Sequence, residues 1–352
     1  GNIMKNRLIT VIGVLVVVLG ACETDIDVNA DWKDITTVYS ILDPAEKTQY
    51  VRINKAFLGE GNALEYAQIA DSINYDTSYI EARIDEYLKG ELVQSMKLKP
   101  LWIPRKNDPN SPFYNPNFPY VLVYMAQPKN FYKMSGNDTI WLNPDSDYHL
   151  EIFNRHSGKT VTASTIIVKD FNISRPLYNP SKPFLKILNT DGQNTIKWRA
   201  AVNGRRYQVI YRFYYKESPN PGDTVIKTTD YHLGVIKSQY TTGSEDMDVS
   251  FMGTSFYKYL GSSIPANPNV KRIAYQIELI IAVIPEEFNT YLEVNEPSSS
   301  IVQDRPEYTN IENGYGLFSS RYIKSRLYFV DSEMAAGIKT YFQTIDGSFI
   351  VP

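Results

Sequence analysis

Arg206-Tyr207-Gln208-Val209-Ile210-Tyr211-Arg212-Phe213-Tyr214-Tyr215-Lys216 decides the fold class. Tyr207, Val209, Tyr211 and Phe213 recur at every second position, the period of a strand with one buried face, whereas a helix would need them three or four apart. Aromatic and β-branched side chains reinforce this, because they fit the pleated surface of a sheet. A second strand-like run, residues 195–201, lies upstream across Val202-Asn203-Gly204-Arg205. Asn-Gly is the strongest short hairpin signal, since both residues tolerate positive φ, and it predicts an antiparallel hairpin here.

The alternation continues in both directions. Downstream, residues 225–227 and 231–236 are predicted strands, and residues 273–284, the most apolar stretch beyond the N-terminus, a central strand. Its single Glu278 reads as a strand residue facing out. Between them Phe251, Met252, Ser255, Phe256 and Tyr259 fall at helical spacing within residues 251–260. Trp198 followed by the alternating aromatic run resembles the start of an immunoglobulin-like or fibronectin type III sheet, which implies an antiparallel sandwich.

Upstream, residues 35–42 and 49–57 flank Asp43-Pro44-Ala45-Glu46, where proline presets a turn and aspartate can bond back to the backbone. Residues 79–88 and 92–98 meet across Lys89-Gly90-Glu91, and residues 148–153 and 160–168 across Arg155-His156-Ser157-Gly158. Two segments interrupt these hairpins. Residues 59–75 place Ala63, Leu64, Ala67, Ile69 and Ala70 at roughly helical spacing. Residues 107–119 hold four prolines, which excludes a central strand and predicts a long projecting loop. Phe113, Tyr114, Phe118 and Tyr120, in or just beyond it, are the candidate contacts for a ligand or partner; packing against the sandwich is their other reading.

Residues 174–183, stiffened by Pro176, Pro180 and Pro183, read as a linker. The expected fold is therefore mostly β, with two immunoglobulin- or fibronectin-III-like antiparallel sandwiches, residues 34–173 and 184–352, carrying short helical insertions. So long a chain exceeds what one compact core usually holds.

The N-terminus supplies an address. Lys5 and Arg7 precede an apolar run, residues 8–19, and then Gly20-Ala21-Cys22, where Cys22 is the single cysteine. A charged start, a middle of about a dozen apolar residues and a small-residue end form the order of a secretory signal. That run falls short of the roughly 20 residues of a spanning helix. Residues 1–21 are read as a lipoprotein signal peptide and Cys22 as the lipidated residue, with acyl chains that make membrane attachment stable. Glu23, Asp25, Asp27 and Asp31 make residues 22–33 an acidic tether. Such a segment resembles the signal that sends lipoproteins of Bacteroidetes-type bacteria to the outer face of the outer membrane; the periplasmic face is the alternative. One cysteine allows no intrachain disulfide.

A net charge of −3 gives no electrostatic reason to expect nucleic acid. Aromatic content is 13%, with 27 tyrosines, which favour strands and also supply amphipathic contact surface. Chemistry is sparse. His149, His156 and His232 are the only histidines and show no metal-protease spacing. Asp85 with Glu86, and Glu286 with Glu287, are sequence neighbours, and in a strand neighbours point to opposite faces. Residues 145–147 and 189–194 carry turn oxygens without a complete calcium-loop pattern. Gly314-Tyr315-Gly316, within residues 310–320, lacks the helix and residue pattern of a phosphate loop and reads as a structural turn. No catalytic residue, metal or cofactor is expected.

Cys22 with its lipobox, residues 50–64, Asp71-Ser72-Ile73-Asn74-Tyr75 and the loop 310–318 together resemble an uncharacterised family of Bacteroidetes outer-membrane lipoproteins, a domain of unknown function. The resemblance implies a cell-envelope protein of β-sandwich character, of the kind found beside TonB-dependent transporters of the SusC/SusD type. The expected function is that of a lipid-anchored surface binding or accessory protein, assisting uptake of a glycan or peptide nutrient. A structural or adhesion subunit is the alternative, and a hydrolase with a site assembled from distant strands the third reading.

Overall fold

The computed structural model describes residues 35–56, 73–104, 120–135, 138–187, 192–220, 222–295, 308–343 and 349–350. The signal peptide, the tether with Cys22, most of the helical insertion at 59–75, and the loop 107–119 with Phe113, Tyr114 and Phe118 lie outside the described residues.

The chain is mostly β. Strands β1 (Ile35–Leu42), β2 (Gln49–Ala56), β3 (Ile80–Leu88), β4 (Glu91–Lys97), β5 (Lys99–Pro104) and β6 (Tyr120–Ala126) come first. A small pair, β7 (Lys133–Ser135) and β8 (Asp138–Ile140), precedes β9 (Asp147–Asn154) and β10 (Lys159–Ile166). The three expected hairpins are all present, β1 with β2, β3 with β4 and β9 with β10. In the first, Asp43 Oδ1 accepts from the Ala45 N–H at 3.1 Å, the local bond that fits aspartate to turns. Lys89 and Gly90 turn the second with φ of 54° and 85°. The strands form two sheets, β1-β2-β6-β5 and β10-β9-β3-β4. Alternate side chains face inward: Val38, Val51, Ile53, Leu122 and Tyr124 from one sheet meet Ala82, Ile84, Leu150, Ile152 and Val161 from the other.

The second half holds β11 (Ile173–Arg175), β12 (Phe184–Leu185), β13 (Gln193–Arg199), β14 (Arg206–Ser218), β15 (Val225–Lys237), β16 (Asp246–Met252) and helix α1 (Gly253–Ser263). It continues with β17 (Lys271–Ile284), α2 (Glu286–Asn295), β18 (Ile311–Glu312), β19 (Tyr315–Ser320), β20 (Tyr322–Val330), α3 (Ser332–Gln343) and β21 (Phe349–Ile350). A six-stranded sheet runs β12-β20-β17-β14-β15, with β21 also on β17, and a three-stranded sheet runs β11-β13-β16. Tyr207, Val209, Tyr211 and Phe213 are at most 2% exposed, as their alternation predicts. They pack against Trp198 and Met247 of the small sheet, Phe256 and Leu260 of α1, and Met334 and Ile338 of α3. Strand β17 lies between β14 and β20, the central place expected for it.

The structure corrects three expectations. First, residues 195–201 and 206–216 do not form a hairpin: β13 pairs with β11 and β16, β14 with β15 and β17. Only Asn203 takes positive φ, at 67°, and its side-chain amide donates to the Ile167 carbonyl at 3.0 Å. Gly204 is there for close approach, since a Cβ on it would lie 2.7 Å from the Tyr207 hydroxyl and 2.8 Å from Val283 Cγ1. Asn-Gly marks a crossover between sheets. Second, 225–227 and 231–236 are one strand, with an irregularity beside Gly234. Third, residues 311–320, placed by sequence in the C-terminal unit, return to the first sandwich. Ile311 pairs opposite Ala163, and β19 runs parallel to β1 with Gly316 opposite Val38. Nor is the proline segment 174–183 the linker expected: Ile167 packs in the first core, Val168, Phe171 and Ile173 already pack in the second, and β11 pairs with β13, so the chain crosses between the cores before that segment.

Gly316 explains the return. Its φ is 118°, and a Cβ there would fall 1.9 Å from the Val38 carbonyl oxygen, so only glycine lets β19 lie this close to β1. The chain then passes directly into β20: the Arg321 N–H donates to the Leu42 carbonyl at 2.9 Å and its guanidinium meets Asp43 at 2.9 Å. Glu287 of α2 accepts from Thr165 at 2.9 Å and Ser319 at 3.1 Å, fastening the helix to the sandwich.

Candidate functional site

The six-stranded sheet is covered on one face only. On its other face the outward residues of β14, β17, β15 and β20 stand in register. Ile210 is paired with Ile280, Gln208 with Ala282, Ala282 with Ile323, and Glu278 with Leu327. Val235 stands opposite Gln208 on β15, and Phe329 opposite Gln276 on β20. Phe184 of β12 lies beside Phe329, ring centroids 5.9 Å apart and planes tilted by 46°. Val235, Ile323, Leu327, Phe329 and Phe184 are between 40% and 58% exposed. At one end Phe288 and Leu292 of α2 rise beside the sheet and close a groove of about 610 Å³. Among the described residues, no other element covers this face.

Its charges are paired. Arg212 donates two hydrogen bonds to Asp230, at 2.8 and 2.9 Å. The bidentate contact pushes the guanidinium pKa further up and holds the Asp230 carboxyl below its usual range. The Tyr214 hydroxyl donates to Glu278 at 2.7 Å; burial and then this bond raise its pKa. On α2, Asn289 donates to Glu293 at 3.2 Å, and Lys237 pairs with the same carboxyl, whose pKa is lowered chiefly by that lysine. Proton transfer near neutral pH needs shifts that bring a group toward pH 7. The shifts here run the other way and keep Arg212, Asp230 and Glu293 in their charged forms.

Of the sequence-expected contact residues, Tyr120 alone is described. It opens β6 opposite Pro104, is 45% exposed, and shares a face by alternation with buried Leu122 and Tyr124. Trp102, 44% exposed, stands opposite Leu122 on the neighbouring strand. Tyr120 thus belongs to the sandwich face and is not gathered into the sheet groove. The histidines are separate: His149 packs edge-on to Tyr87 at 5.0 Å, His156 stacks on Tyr79 at 5.1 Å, and His232 faces out opposite Ile210. Asp85 and Glu86 have different partners, Arg83 and Ser95 for the first, Gln94 and Ser146 for the second. Glu286 pairs with Arg205 while Glu287 holds the sandwich. Asp145 is taken by Lys169, and residues 189–191 lie outside the described residues. No group of three or more metal-ligating side chains occurs among the described residues.

A second, smaller pocket of about 300 Å³ lies on the first sandwich, between the β3–β4 hairpin and the segment after β6. Trp141, Phe131 and Tyr132 wall it, with Gln94, Asn130, Asn143 and the buried Glu86 among its polar lining. Neither pocket was singled out from sequence. The signal for the larger one is the near-continuous apolar run of β17: in a strand such a run makes both faces apolar, and both then call for cover. The segment around Phe131 carries no periodic signal.

The sequence matches no protein-family model and no curated protein.

Proposed function

We propose that the chain is a lipid-anchored protein of the bacterial cell surface that works by binding, as an accessory to an outer-membrane nutrient transporter, and that the open face of the six-stranded sheet is its docking surface. The observation that carries this reading is the row Phe184, Phe329, Leu327 and Ile323, exposed and apolar on a sheet whose other face carries the packed core. Exposed apolar patches rimmed by polar groups mark interaction sites, because water around them is released when a partner covers them. The lipobox at Cys22 and the acidic tether support the address, and the resemblance to Bacteroidetes lipoproteins supports the transporter as partner. The alternating two-sheet cores support an immunoglobulin-like or fibronectin-III-like descent for both units.

A structural or adhesion subunit would join neighbours through free strand edges. Three of the edges are blunted: β5 carries Pro100 and Pro104, β4 bulges at Val93, and β15 has Lys227, Lys237 and an irregularity at Gly234. That favours docking by a face over addition of strands.

The test is purification of the native lipoprotein from its own membranes in gentle detergent. Recovery of a transporter barrel with the wild type, and its loss with Leu327→Glu, is the expected result. Recovery of monomer alone, or a barrel that stays bound to the variant, refutes the docking face. Metabolic labelling that finds no acyl chain on Cys22 refutes the anchor.

A further inference from the structure

We infer that the pocket walled by Trp141, Phe131 and Tyr132 on the first sandwich is a subsite for one neutral sugar ring of a glycan. The inference deepens the binding role proposed above and shares its premise that the chain acts by capture; it does not depend on the docking face, which lies on the other unit.

The pocket is built from fixed parts. The Trp141 N–H donates to the Pro44 carbonyl at 2.7 Å and the Tyr132 N–H to the Ile140 carbonyl at 2.8 Å, so the backbone holds both aromatic residues in place. Phe131 meets Trp141 edge to face, centroids 6.2 Å apart and planes at 90°. Phe131 and Tyr132 are 50% and 45% exposed, so part of each ring is open to a ligand. Beneath them Glu86, only 4% exposed, accepts from Gln94 Nε2 at 2.6 Å and from Ser146 Oγ at 2.8 Å. Gln94 Oε1 in turn accepts from the Lys129 N–H at 3.2 Å, which leaves its amide one N–H and one lone pair. Asn143 Oδ1 takes the Asp145 N–H at 2.9 Å, which leaves its NH₂ group.

These parts select the ligand class by elimination. Charge of either sign is balanced at the pocket: buried Glu86 carries a negative charge, while Lys129 lines it and the Lys47 ammonium lies over the Trp141 ring, 5.1 Å from its centroid, so neither a cation nor an anion is favoured over a neutral ligand. A purely apolar group would strand the amides of Gln94, Asn130 and Asn143, and unmade hydrogen bonds cost more than made ones contribute. What fits is neutral, with apolar C–H surface for the rings and adjacent hydroxyls that both donate and accept. A sugar ring has that character. The volume sits at the lower limit of the roughly 300–1,000 Å³ of ligand pockets, room for one ring or the end of a chain.

The experiment uses the exported part of the chain, from Cys22→Ser onward, titrated with maltotriose, cellotriose, mannotriose and xylotriose, each to about 10 mM, by calorimetry and ligand-detected NMR. At least one is expected to bind. Trp141→Ala and Phe131→Ala should each weaken it at least tenfold, Trp141→Phe by less than about threefold, and Gln94→Ala by an intermediate factor. Phe131→Ala, altering an exposed ring, should leave the melting temperature within about 2 °C, which separates lost binding from lost fold. No binding by any trisaccharide, binding that ignores Phe131 and Gln94, or binding of tetramethylammonium in preference to every sugar overturns the inference. Leu327→Glu separates the two readings: it should abolish transporter recovery and leave sugar affinity unchanged. If sugar binding fails while transporter recovery survives, the subsite is wrong and the docking role stands.

Discussion

Two outward sheet faces of this molecule have the same geometry and opposite chemistry. On the first sandwich, the outer rows of β3 and β9 pair Arg83 with Glu151 and Asp85 with His149, and Arg155 with Glu81 extends the pattern. On the six-stranded sheet, the outer rows of β14, β17 and β20 pair Ile210 with Ile280, Ala282 with Ile323 and Glu278 with Leu327. Both units bury their inner faces in a packed core, so folding alone does not call for the second pattern. A solvated face can be made of charges at no cost to the core, as the first sandwich does. The apolar outer face is the feature on which the proposed docking role rests.

The largest expected effect breaks the first unit. Gly316→Ala puts a Cβ 1.9 Å from the Val38 carbonyl at a φ of 118°. Backbone must move, β19 leaves β1, and Phe318 leaves the core; stability should fall by about 4 kcal/mol or more, as only a few kinds of single substitution do. Urea unfolding measures it. A loss under 1 kcal/mol would show that β19 is not needed to close the sandwich.

Next is a contrast within a single unit. Ile281, 0% exposed, and Ile323, 42% exposed, lie opposite sides of one sheet. Ile281→Ala should cost about 2–5 kcal/mol, the price of a buried cavity, and Ile323→Ala under about 1 kcal/mol. Equal losses would mean that the outer face is core, and the docking reading would go with it.

How far these features could be read in advance depends on whether they are local. β1 is predicted to the residue and β14 nearly so, because period-two burial is written into consecutive side chains, and β17 nearly so because its apolar run is continuous. Local turn chemistry misleads at Asn203-Gly204, where Tyr207 and Val283 crowd a crossover that only the assembled sheets create. The return of residues 311–320 is long-range, and Gly314-Tyr315-Gly316 announces close approach without naming the strand approached. The sheet groove joins four strands and a helix, and the aromatic pocket joins three separated segments; no window of sequence contains either. The expected contacts Phe113, Tyr114 and Phe118 lie outside the described residues, and Tyr120 stands apart from the groove.

A buried ion pair inside the large sheet gives the third effect. Arg272 meets Glu217 at 2.9 Å with side chains 3% and 7% exposed, and Lys227 meets the same carboxylate at 2.6 Å. The lysine and arginine hold the Glu217 carboxyl below its usual range. A lowered folded pKa stabilises above the unfolded carboxylate value of about 4.3, and that stability is lost as pH falls through the folded value. Glu217→Gln leaves Arg272 buried without its counter-charge and should cost about 3 kcal/mol at pH 7. The gap between variant and wild type should narrow below about pH 4.3. A gap that stays constant down to pH 2 would mean that the charge of Glu217 contributes nothing.

The smallest effects on stability separate the two faces most sharply. Arg83→Ala removes an exposed ion pair with Glu151 and Asp85, and such pairs contribute about 0–1 kcal/mol. Leu327→Ser removes a side chain that is 40% exposed and should also change stability by about 0.5 kcal/mol or less. Folding therefore treats the two substitutions alike. A partner does not: if the apolar rows are a docking surface, Leu327→Ser loses contact area that is desolvated only in the complex, and recovery of the transporter drops several-fold, while Arg83→Ala leaves it unchanged. Equal recovery with both variants would remove the one difference between the faces that stability cannot explain.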